Sequence, residues 1–457
     1  MTNDQFKLKF LGGAGTVTGS KMLLETKKSS ILIDCGLFQG LKELRLKNWA
    51  PFPVEPSSID ELILTHAHLD HCGYIPLLVK KGFNGPIHCT KPTKELAEII
   101  LLDSAKIQEE DATRANKYAY AKHKKAEPLY SVQDVVEAMK LFVTHDLHEW
   151  VVIDDKVKFQ LINNGHILGS AFIDIRVNDK KIVFSGDIGR AKPMLLYPPK
   201  KIADADYIIL ESTYGDRIHS PEDVKEELLR VIEDTLDRKG ILMIPSFAVE
   251  RTQELIYILH ELKEEDKLPK IPIYLDSPMG VNSTNVYNNY ADWQNISHYD
   301  LTRMYEDIIF INNFEHSRSI VSDKSPKIVL AGSGMMEGGR ILHYLNNHIE
   351  NDRNTLLFVG FQGEGTRGRA IVEGSQEIKF FGEYRQVKCH IATISSLSAH
   401  GDQMEMLDWL RNFEKPPIKI FLNHGEPHQT DALRVKIETE LGWEVEIPAL
   451  NSEYTLS

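Results

Sequence analysis

Residues 66–71 read HAHLDH, and this hexapeptide decides how the rest of the sequence is interpreted. It follows the apolar run ELILT and precedes GYIPLLVKKG, so it occupies the turn between a predicted strand and a predicted helix. In a turn that leaves a strand, alternate side chains can face two neighbouring points. His66 and His68 can therefore hold one cation while Asp70 and His71 hold a second. Nitrogen and oxygen ligands of this kind suit zinc or a similar divalent metal.

Two further ligands of the predicted site stand at the ends of later strands. His166 follows KVKFQLI in NNGHILGS, and Asp187 follows KKIVF in FSGDIGR. With the HAHLDH residues they complete a pattern in which His166 joins the first histidine pair on one metal and Asp187 bridges to the second metal. Asp34, at the end of SSILIDCG, is interpreted as a carboxylate that orients a ligand histidine.

The pattern of predicted elements changes along the chain. The first half alternates short β-rich runs with glycine-containing turns, whereas strands alternate with longer helices after Ser220, as in a parallel, Rossmann-like sheet. From about Val387, the segments VKCHIATIS, MEMLDWLRNF and IKIFLNHG again match the first half. The length of 457 residues exceeds the usual span of one domain. We expect one domain in two parts, residues 1–214 and 388–457, interrupted by an inserted domain, residues 215–387.

Composition limits the partners and the compartment. The net charge of −13 has the wrong sign for binding nucleic acid by the overall field, so a polyanionic partner requires a confined groove or bound cations. The four cysteines show no CxxC pairing, which predicts reduced thiols. No apolar run approaches the ~20 residues that cross a bilayer, and we expect a cytoplasmic protein without a membrane partner. The basic stretch at residues 122–125 is more typical of a solvated face than of a binding site.

Together, the motifs resemble those of a known family. Asp34, HAHLDH, His166 and Asp187 match the four motifs of the metallo-β-lactamase superfamily, and LESTYGDR, SLSAHGD and FLNHGEP look like motifs A, B and C of the β-CASP nucleases. The resemblance covers essentially the whole chain and extends to bacterial and archaeal relatives of the endonuclease subunit of cleavage and polyadenylation specificity factor. It implies an α/β (α+β) fold, a metallo-β-lactamase αββα sandwich with an inserted Rossmann-like β-CASP domain.

The resemblance also implies roles for residues in these motifs. His424 completes the second zinc site, and His400 is the general acid, oriented by Glu211; Asp70 counts as catalytic as well as a ligand. Two zinc ions ~3.5–4 Å apart would bind a hydroxide and the scissile phosphate together, while His400 protonates the departing 3′ oxygen. The expected enzyme is a zinc-dependent ribonuclease of single-stranded RNA, mainly endonucleolytic in RNA processing or decay, that leaves 5′-phosphate and 3′-hydroxyl ends. Histidine at motif C is typical of the RNA-processing members and argues for RNA over DNA.

Two glycine-rich loops of the inserted domain are predicted to bind phosphate. GSGMMEGGR at 332–340 follows the strand KIVLA, and GEGTRGR at 363–369 follows TLLFVGFQ. Backbone N–H groups at a helix start attract anions, and glycine permits the close approach of a phosphate. The alternative, open for each residue, is that the glycines let the two domains pack closely. The expected phosphate contacts are Ser333, Arg340, Thr366, Arg367 and Arg369.

Other functions remain open at this stage. A small-molecule hydrolase of the superfamily needs only the first four motifs and leaves Glu211, His400 and the insertion unexplained. A catalytically silent RNA-binding subunit should have lost ligands, and none is missing. A 5′-exonuclease resembling ribonuclease J is a further alternative. It requires a pocket for a 5′-phosphate, and the sequence does not show whether this pocket exists. Arg251 in PSFAVERTQE has no assigned role, and a homodimer is left open.

Overall fold

A computed structural model describes residues 5–117, 125–360, 362–394 and 396–457. The predicted basic stretch therefore lies outside the described residues, apart from Lys125. The chain divides into two compact units. The first unit comprises Met1–Pro193, Tyr197–Ile218 and His400–Ser457, and the second comprises Met194–Leu196 and His219–Ala399. No helix in the described part of the chain is both long enough and apolar enough to cross a membrane.

The helices and strands are numbered in chain order. Up to Ile218 the chain forms β1 (Phe6–Gly12), β2 (Lys21–Glu25), β3 (Ser30–Ile33), α1 (Lys42–Lys47), β4 (Glu61–Ile63), α2 (Leu69–Cys72), α3 (Ile75–Lys80), β5 (Ile87–Thr90), α4 (Lys91–Lys117), α5 (Val132–Met139), β6 (Phe142–His145), β7 (Val151–Val152), β8 (Val157–Asn163), β9 (Ala171–Val177), β10 (Lys180–Phe184) and β11 (Tyr207–Glu211). The second unit contains α6 (Val224–Asp237), β12 (Ile241–Pro245), α7 (Arg251–Glu264), β13 (Ile273–Asp276), α8 (Pro278–Asn289), α9 (His298–Arg303), β14 (Ile308–Phe310), α10 (Phe314–Ser322), β15 (Lys327–Ala331), α11 (Ile341–His348), β16 (Thr355–Val359), α12 (Arg367–Val372), β17 (Glu377–Phe380), β18 (Glu383–Gln386) and β19 (His390–Ile394). The last segment adds α13 (Gln403–Leu410), β20 (Lys419–Asn423), α14 (Pro427–Glu440), β21 (Val445–Glu446) and β22 (Glu453–Leu456).

The first unit is built on two mixed sheets, ordered β22-β1-β2-β3-β4-β5-β6 and β21-β20-β11-β10-β9-β8-β7. Burial alternates along β1 and β8, as it does when one face of a strand meets a core. Phe10, Phe159 and Phe421 belong to one apolar cluster that joins strands of both sheets. A second cluster joins β9, β10, β11 and β20 to α13 and α14, while α4 contacts β5 and β6. The αββα sandwich expected from the sequence is confirmed.

The second unit is built on a parallel sheet, ordered β14-β13-β15-β12-β16-β19. Every residue of β12, β15 and β16 is buried, because helices cover both faces of the sheet. The helices divide between two apolar clusters, one containing α6 and α7 and the other α11. This is the Rossmann-like sheet that the alternating strands and helices predicted.

One strand belongs to a different sheet from the one expected. We expected VKCHIATIS to belong to the C-terminal part of the interrupted domain, but β19 pairs in parallel with β16 from Thr355–His390 to Val359–Ile394. The prediction for this strand is wrong, because a short apolar run carries no feature that selects one sheet over another. The strand β22, which the local pattern did not predict, pairs antiparallel with β1.

Candidate metal centre

The predicted ligands gather at the strand ends of the first unit. Four follow β4, and one each follows β8, β10 and β20. Their ligand atoms form two groups, and within each group the atoms lie within 4.8 Å of one another. The first group comprises His66, His68, His166 and Asp187, and the second comprises Asp70, His71 and His424. Gly36 allows the Asp34 loop to approach HAHLDH, because a Cβ at this position would lie 1.6 Å from the carbonyl oxygen of Asp70.

The first group has the spacing of a cation site. His68 Nδ1 lies 3.2 Å from His66 Nε2 and 3.1 Å from His166 Nε2. Tetrahedral zinc with Zn–N bonds of ~2.0–2.1 Å separates its nitrogens by roughly 3.3 Å. His68 Nδ1 cannot form a hydrogen bond with both of these nitrogens at once, because a ring nitrogen carries either one proton or one lone pair. A cation bound by all three nitrogens therefore explains the arrangement better than hydrogen bonds do.

The second group is linked to the first by Asp187. His71 Nε2 lies 3.2 Å from His424 Nε2, which is 3.3 Å from Asp70 Oδ2. Asp187 Oδ1 faces this group, 3.2 Å from His71 Nε2, whereas Asp187 Oδ2 faces the first group, 3.5 Å from His66 Nε2. Asp187 Oδ1 is buried and has no hydrogen-bond partner among the described residues. A carboxylate that presents one oxygen to each group fits a bridging ligand.

Two ligand histidines are oriented by a buried hydrogen-bond chain. Asp34 Oδ2 accepts a hydrogen bond from His71 Nδ1 at 2.7 Å, and Asp34 Oδ1 accepts one from the Thr65 backbone N–H at 2.8 Å. The Thr65 hydroxyl lies 3.0 Å from Asp34 and 3.0 Å from His66 Nδ1. If the hydroxyl donates to Asp34, it accepts from His66, and the Nε2 atoms of His66 and His71 both face the metal groups. Asp34 therefore lies where it can orient His71.

Sequence reasoning missed Thr65 and Asn164. Thr65 directly precedes HAHLDH, but its hydroxyl is not a usual zinc ligand, so the motif gave no reason to select it. Asn164 joins two ligand loops, since its amide donates to the backbone carbonyl of Asp187 at 2.7 Å and its oxygen accepts from the His166 N–H at 3.3 Å. The signal for Asn164 was its position in NNGH, two residues before the ligand.

Burial and neighbouring charges set the protonation of the ligands. Burial lowers the pKa of His66 well below its usual range and lowers that of His68 to about 4. Burial opposes ionisation of Asp187, but the surrounding imidazoles outweigh it and hold its pKa well below the ordinary value. The pKa of His71 is raised despite burial, because Asp187 and Asp34 lie beside it. Neutral His66 and His68 and ionised Asp187 are the forms that bind a cation.

His400 lies beside the predicted ligands, and its Nδ1 atom contacts the Glu211 carboxylate. His400 Nδ1 is 3.0 Å and 3.1 Å from the two Glu211 oxygens, and Glu211 Oε1 also accepts from the Ile188 N–H at 2.6 Å. The His400 ring centroid lies 4.5 Å from that of His166. Burial disfavours the charged ring, but the carboxylates of Glu211, Asp187 and Asp70 together outweigh burial and raise the pKa of His400 to about 9. Glu211 also lies within 4.8 Å of ligand atoms of Asp187, but its oxygens already accept these hydrogen bonds.

Comparison with known proteins agrees with this geometry. The metallo-beta-lactamase superfamily model matches residues 15–238, the Beta-Casp domain model matches residues 252–371, and the Zn-dependent metallo-hydrolase RNA specificity domain model matches residues 384–448. Ribonuclease TTHA0252 of Thermus thermophilus is 35% identical over 92% of this chain and 94% of its own. The chain belongs to the β-CASP family of metallo-β-lactamase-fold ribonucleases. The zinc-dependent family description and the two ligand groups identify the cluster as a divalent-metal site.

Other relatives span the same length of this chain. The RNase J-like protein of Methanocaldococcus jannaschii is 33% identical over 93% of both chains. The transcription termination factor FttA of Methanosarcina mazei is 32% identical over 93% of this chain and 68% of its own. A crystal structure of a protein of unknown function from Enterococcus faecalis matches 99% of this chain with a TM-score of 0.54 at 12% identity, a likeness of fold alone.

The β-CASP loop residues predicted to contact phosphate have partners within the second unit. Arg367 donates from Nε to Lys379 O at 3.1 Å and from Nη1 to Met336 O at 3.1 Å. The Thr366 hydroxyl accepts from the Arg369 N–H at the start of α12. These contacts give Arg367 and Thr366 a structural role within the second unit.

The remaining β-CASP candidates differ in their contacts. Arg369 pairs with Glu373 at 2.6 Å, and the Ser333 hydroxyl lies 3.3 Å from the backbone oxygen of Gly338. Arg340 donates from Nη1 to the buried Asp276 carboxylate at 3.3 Å. Arg251, which had no assigned role, is buried and donates to Glu254, so it fixes the start of α7.

Proposed function

We propose that this chain is a zinc-dependent ribonuclease that hydrolyses phosphodiester bonds of single-stranded RNA, mainly endonucleolytically, and leaves 5′-phosphate and 3′-hydroxyl ends. The observation that carries the proposal is Asp187, whose two oxygens face two separate groups of imidazoles. RNA as substrate is supported by the RNA specificity domain description and by the ribonuclease name of the Thermus relative.

The residues divide naturally between two zinc ions. One ion would be held by His66, His68, His166 and Asp187, and the other by Asp70, His71, His424 and Asp187. When bound, two such ions supply an activated water and neutralise charge on the phosphate oxygens. Asp34 and Thr65 would keep the ligand nitrogens of His71 and His66 directed at the metals.

In this proposal His400 delivers the proton to the leaving group. Its Nδ1 is held by Glu211, which fixes the ring and leaves Nε2 as the atom that can donate to a departing 3′ oxygen. His400 Nε2 lies 4.0 Å from Asp187 Oδ2, beside the ligands, and the side chain keeps 17% of its surface exposed. In this proposal the substrate reaches Nε2 without displacing a ligand.

The test is digestion of matched circular and linear single-stranded RNA with zinc, followed by analysis of the product ends. We expect the circular RNA to be cut, with 5′-phosphate and 3′-hydroxyl ends, and no cleavage by His68→Ala or in chelator. Ends carrying a 2′,3′-cyclic phosphate would contradict hydrolysis by an external water. Degradation of linear 5′-phosphorylated RNA alone would instead favour a 5′-exonuclease, the second candidate, which the RNase J-like relative supports.

A further inference from the structure

Three aromatic side chains and one arginine form a row on the second unit. The rings of Phe314 and His343 lie 6.0 Å apart at 77°, and those of His343 and Phe381 stack 5.0 Å apart at 27°. The Arg340 guanidinium lies over Phe314, 5.4 Å from the ring centroid. Phe314 is 52% exposed and Phe381 is 57% exposed, so more than half of each residue's surface is accessible to solvent. We call this set the aromatic row.

The fold holds the aromatic row in place from three separate elements. Phe314 is the first residue of α10, His343 lies in the first turn of α11, and Phe381 lies in the turn between β17 and β18. Arg340 is fixed by Asp276, which is fully buried at the end of β13 and also accepts a hydrogen bond from Tyr344. Because the row is preformed, a ligand that binds it orders few side chains.

The β17–β18 hairpin places one lysine and another exposed ring near Phe381, while its two basic and two acidic residues leave the hairpin without net charge. Lys379 and Tyr384 face each other across the hairpin, with the ammonium 5.4 Å from the ring centroid, and Tyr384 is 62% exposed. Arg367 anchors the hairpin through its bond to Lys379 O. In a chain of net charge −13, such local cations beside open rings mark where a polyanion with flat bases would be held.

We propose that the aromatic row is a stacking platform for unpaired bases of single-stranded RNA, with Arg340 and Lys379 contacting the adjoining phosphates. The inference rests on the proposed function in that RNA is the substrate. Stacking on exposed aromatic rings accepts any base, and cations track the backbone, so this pairing suits single strands. A protein partner fits less well, because Lys379 and Glu383 border Phe381 and lysine and glutamate are depleted in protein interfaces.

The experiment measures the affinity of a fluorescent oligoadenylate for metal-free protein, so that cleavage does not interfere. Phe314→Ala and Phe381→Ala should each weaken binding by about 5- to 100-fold, the range of one lost base stack. Tyr299→Ala is the matched control, because Tyr299 is also 52% exposed and also packs against an arginine, Arg303, at 4.9 Å, and it should bind like wild type. The phenylalanine variants should keep the wild-type salt dependence, whereas Lys379→Gln should lower the slope by about 0.7.

A second measurement uses only wild-type protein, so it does not depend on whether the variants fold. Wild-type protein irradiated with 5-iodouridine RNA should crosslink at Phe314, Phe381 or Tyr384, identified by mass spectrometry of the peptides. Crosslinks confined to other segments, or unchanged RNA affinity in both phenylalanine variants, would overturn the inference. If the wild-type protein still cleaves RNA in that case, the proposed function is unaffected. If the phenylalanine variants lost self-association but kept their RNA affinity, the inference would also be overturned, and the row would be assigned to a protein interface. A wild-type protein that neither binds nor cleaves RNA removes both.

Discussion

His400 Nδ1 lies between the two carboxylate oxygens of Glu211, at 3.0 Å and 3.1 Å, while its Nε2 points toward Asp187 Oδ2 at 4.0 Å. In the ligand cluster, by contrast, His68 Nδ1 lies 3.2 Å from His66 Nε2 and 3.1 Å from His166 Nε2. His400 is therefore held beside the cluster by a carboxylate and is not one of its converging ligands. This arrangement fits the proposed role of His400 as the proton donor.

Replacement of His400 should separate catalysis from metal binding. In His400→Ala we expect zinc content and RNA affinity near those of wild type and cleavage slowed by about 10²–10⁴-fold, the range of a lost general acid. A substrate with sulfur at the scissile 3′ position expels a thiolate that needs little protonation, so the variant should recover much of its rate there. Glu211→Gln should slow cleavage in the same substrate-dependent way. Equal slowing on oxygen and sulfur substrates, or zinc loss, would move His400 into a ligand or structural role.

Thr65→Val should weaken metal binding although Thr65 is not a proposed ligand. The substitution keeps the shape of the side chain but removes the hydroxyl that links Asp34 to His66 Nδ1. Loss of such an orienting partner typically costs about 10- to 100-fold in metal affinity. Competition with a zinc-binding dye would measure it, with Thr144→Val at an exposed position as the control. Wild-type zinc affinity in Thr65→Val would show that the chain of hydrogen bonds does not orient His66.

Lys21 should make the stability of the protein depend on pH in the alkaline range. Burial lowers the pKa of Lys21 from 10.5 to about 8; its ammonium lies over the rings of Phe38 and Tyr74 and donates to Gly19 O. Between these values the unfolded chain binds a proton that the folded chain has lost, so the free energy of unfolding rises with pH. Below pH 8 the folded state carries the full cost of the buried charge.

Lys21→Met should therefore raise the free energy of unfolding at pH 7 by roughly 1–3 kcal/mol, and its advantage over wild type should shrink between pH 8 and 10.5. Denaturant titrations across this pH range measure both quantities. Lys27→Met, at an exposed position in the turn between β2 and β3, should change neither. A destabilised Lys21→Met at pH 7 would mean that the ring and carbonyl contacts outweigh the cost of burial.

Arg367 and Arg369 should respond differently to removal. Arg367→Ala loses hydrogen bonds to two backbone carbonyls and should destabilise the protein by about 1–3 kcal/mol. Arg369→Ala loses a surface ion pair with Glu373 and should change stability by less than about 0.5 kcal/mol. If Arg369 contacts phosphate, its variant should also bind RNA more weakly, with a salt slope lower by about 0.7. Unchanged RNA affinity in Arg369→Ala would remove GEGTRGR from the phosphate contacts.

The ligand groups could be predicted from the sequence because each ligand follows a strand. The strands β8, β10 and β20 belong to one sheet and end at the same edge, which brings His166, Asp187 and His424 together. The HAHLDH turn follows β4 of the other sheet, and its place beside them came from the ligand pattern and the family resemblance. Thr65 and Asn164 could not be predicted in the same way. They act through hydrogen bonds to ligands and lack ligand chemistry of their own, so only the folded geometry reveals them.

The boundary of the second unit was harder to predict for a different reason. The strand HIATI has the same local pattern in either sheet, and only its pairing with β16 assigns it. The role of Arg367 was similarly open. Its partners, Lys379 O and Met336 O, are backbone groups, and a side-chain motif cannot predict contacts with them. Local pattern predicted the elements, whereas long-range pairing decided the sheet of β19 and the contacts of Arg367.

The central claim is that RNA is hydrolysed at a centre of two metal ions in the first unit. The most direct test titrates zinc into metal-free protein and measures bound metal and the single-turnover cleavage rate in the same samples. We predict that about two equivalents bind and that the full rate appears only with the second. His68→Ala should lower both metal content and rate, and His428→Ala, an exposed histidine, should lower neither. Full cleavage with one equivalent, or in metal-free protein, would contradict the account.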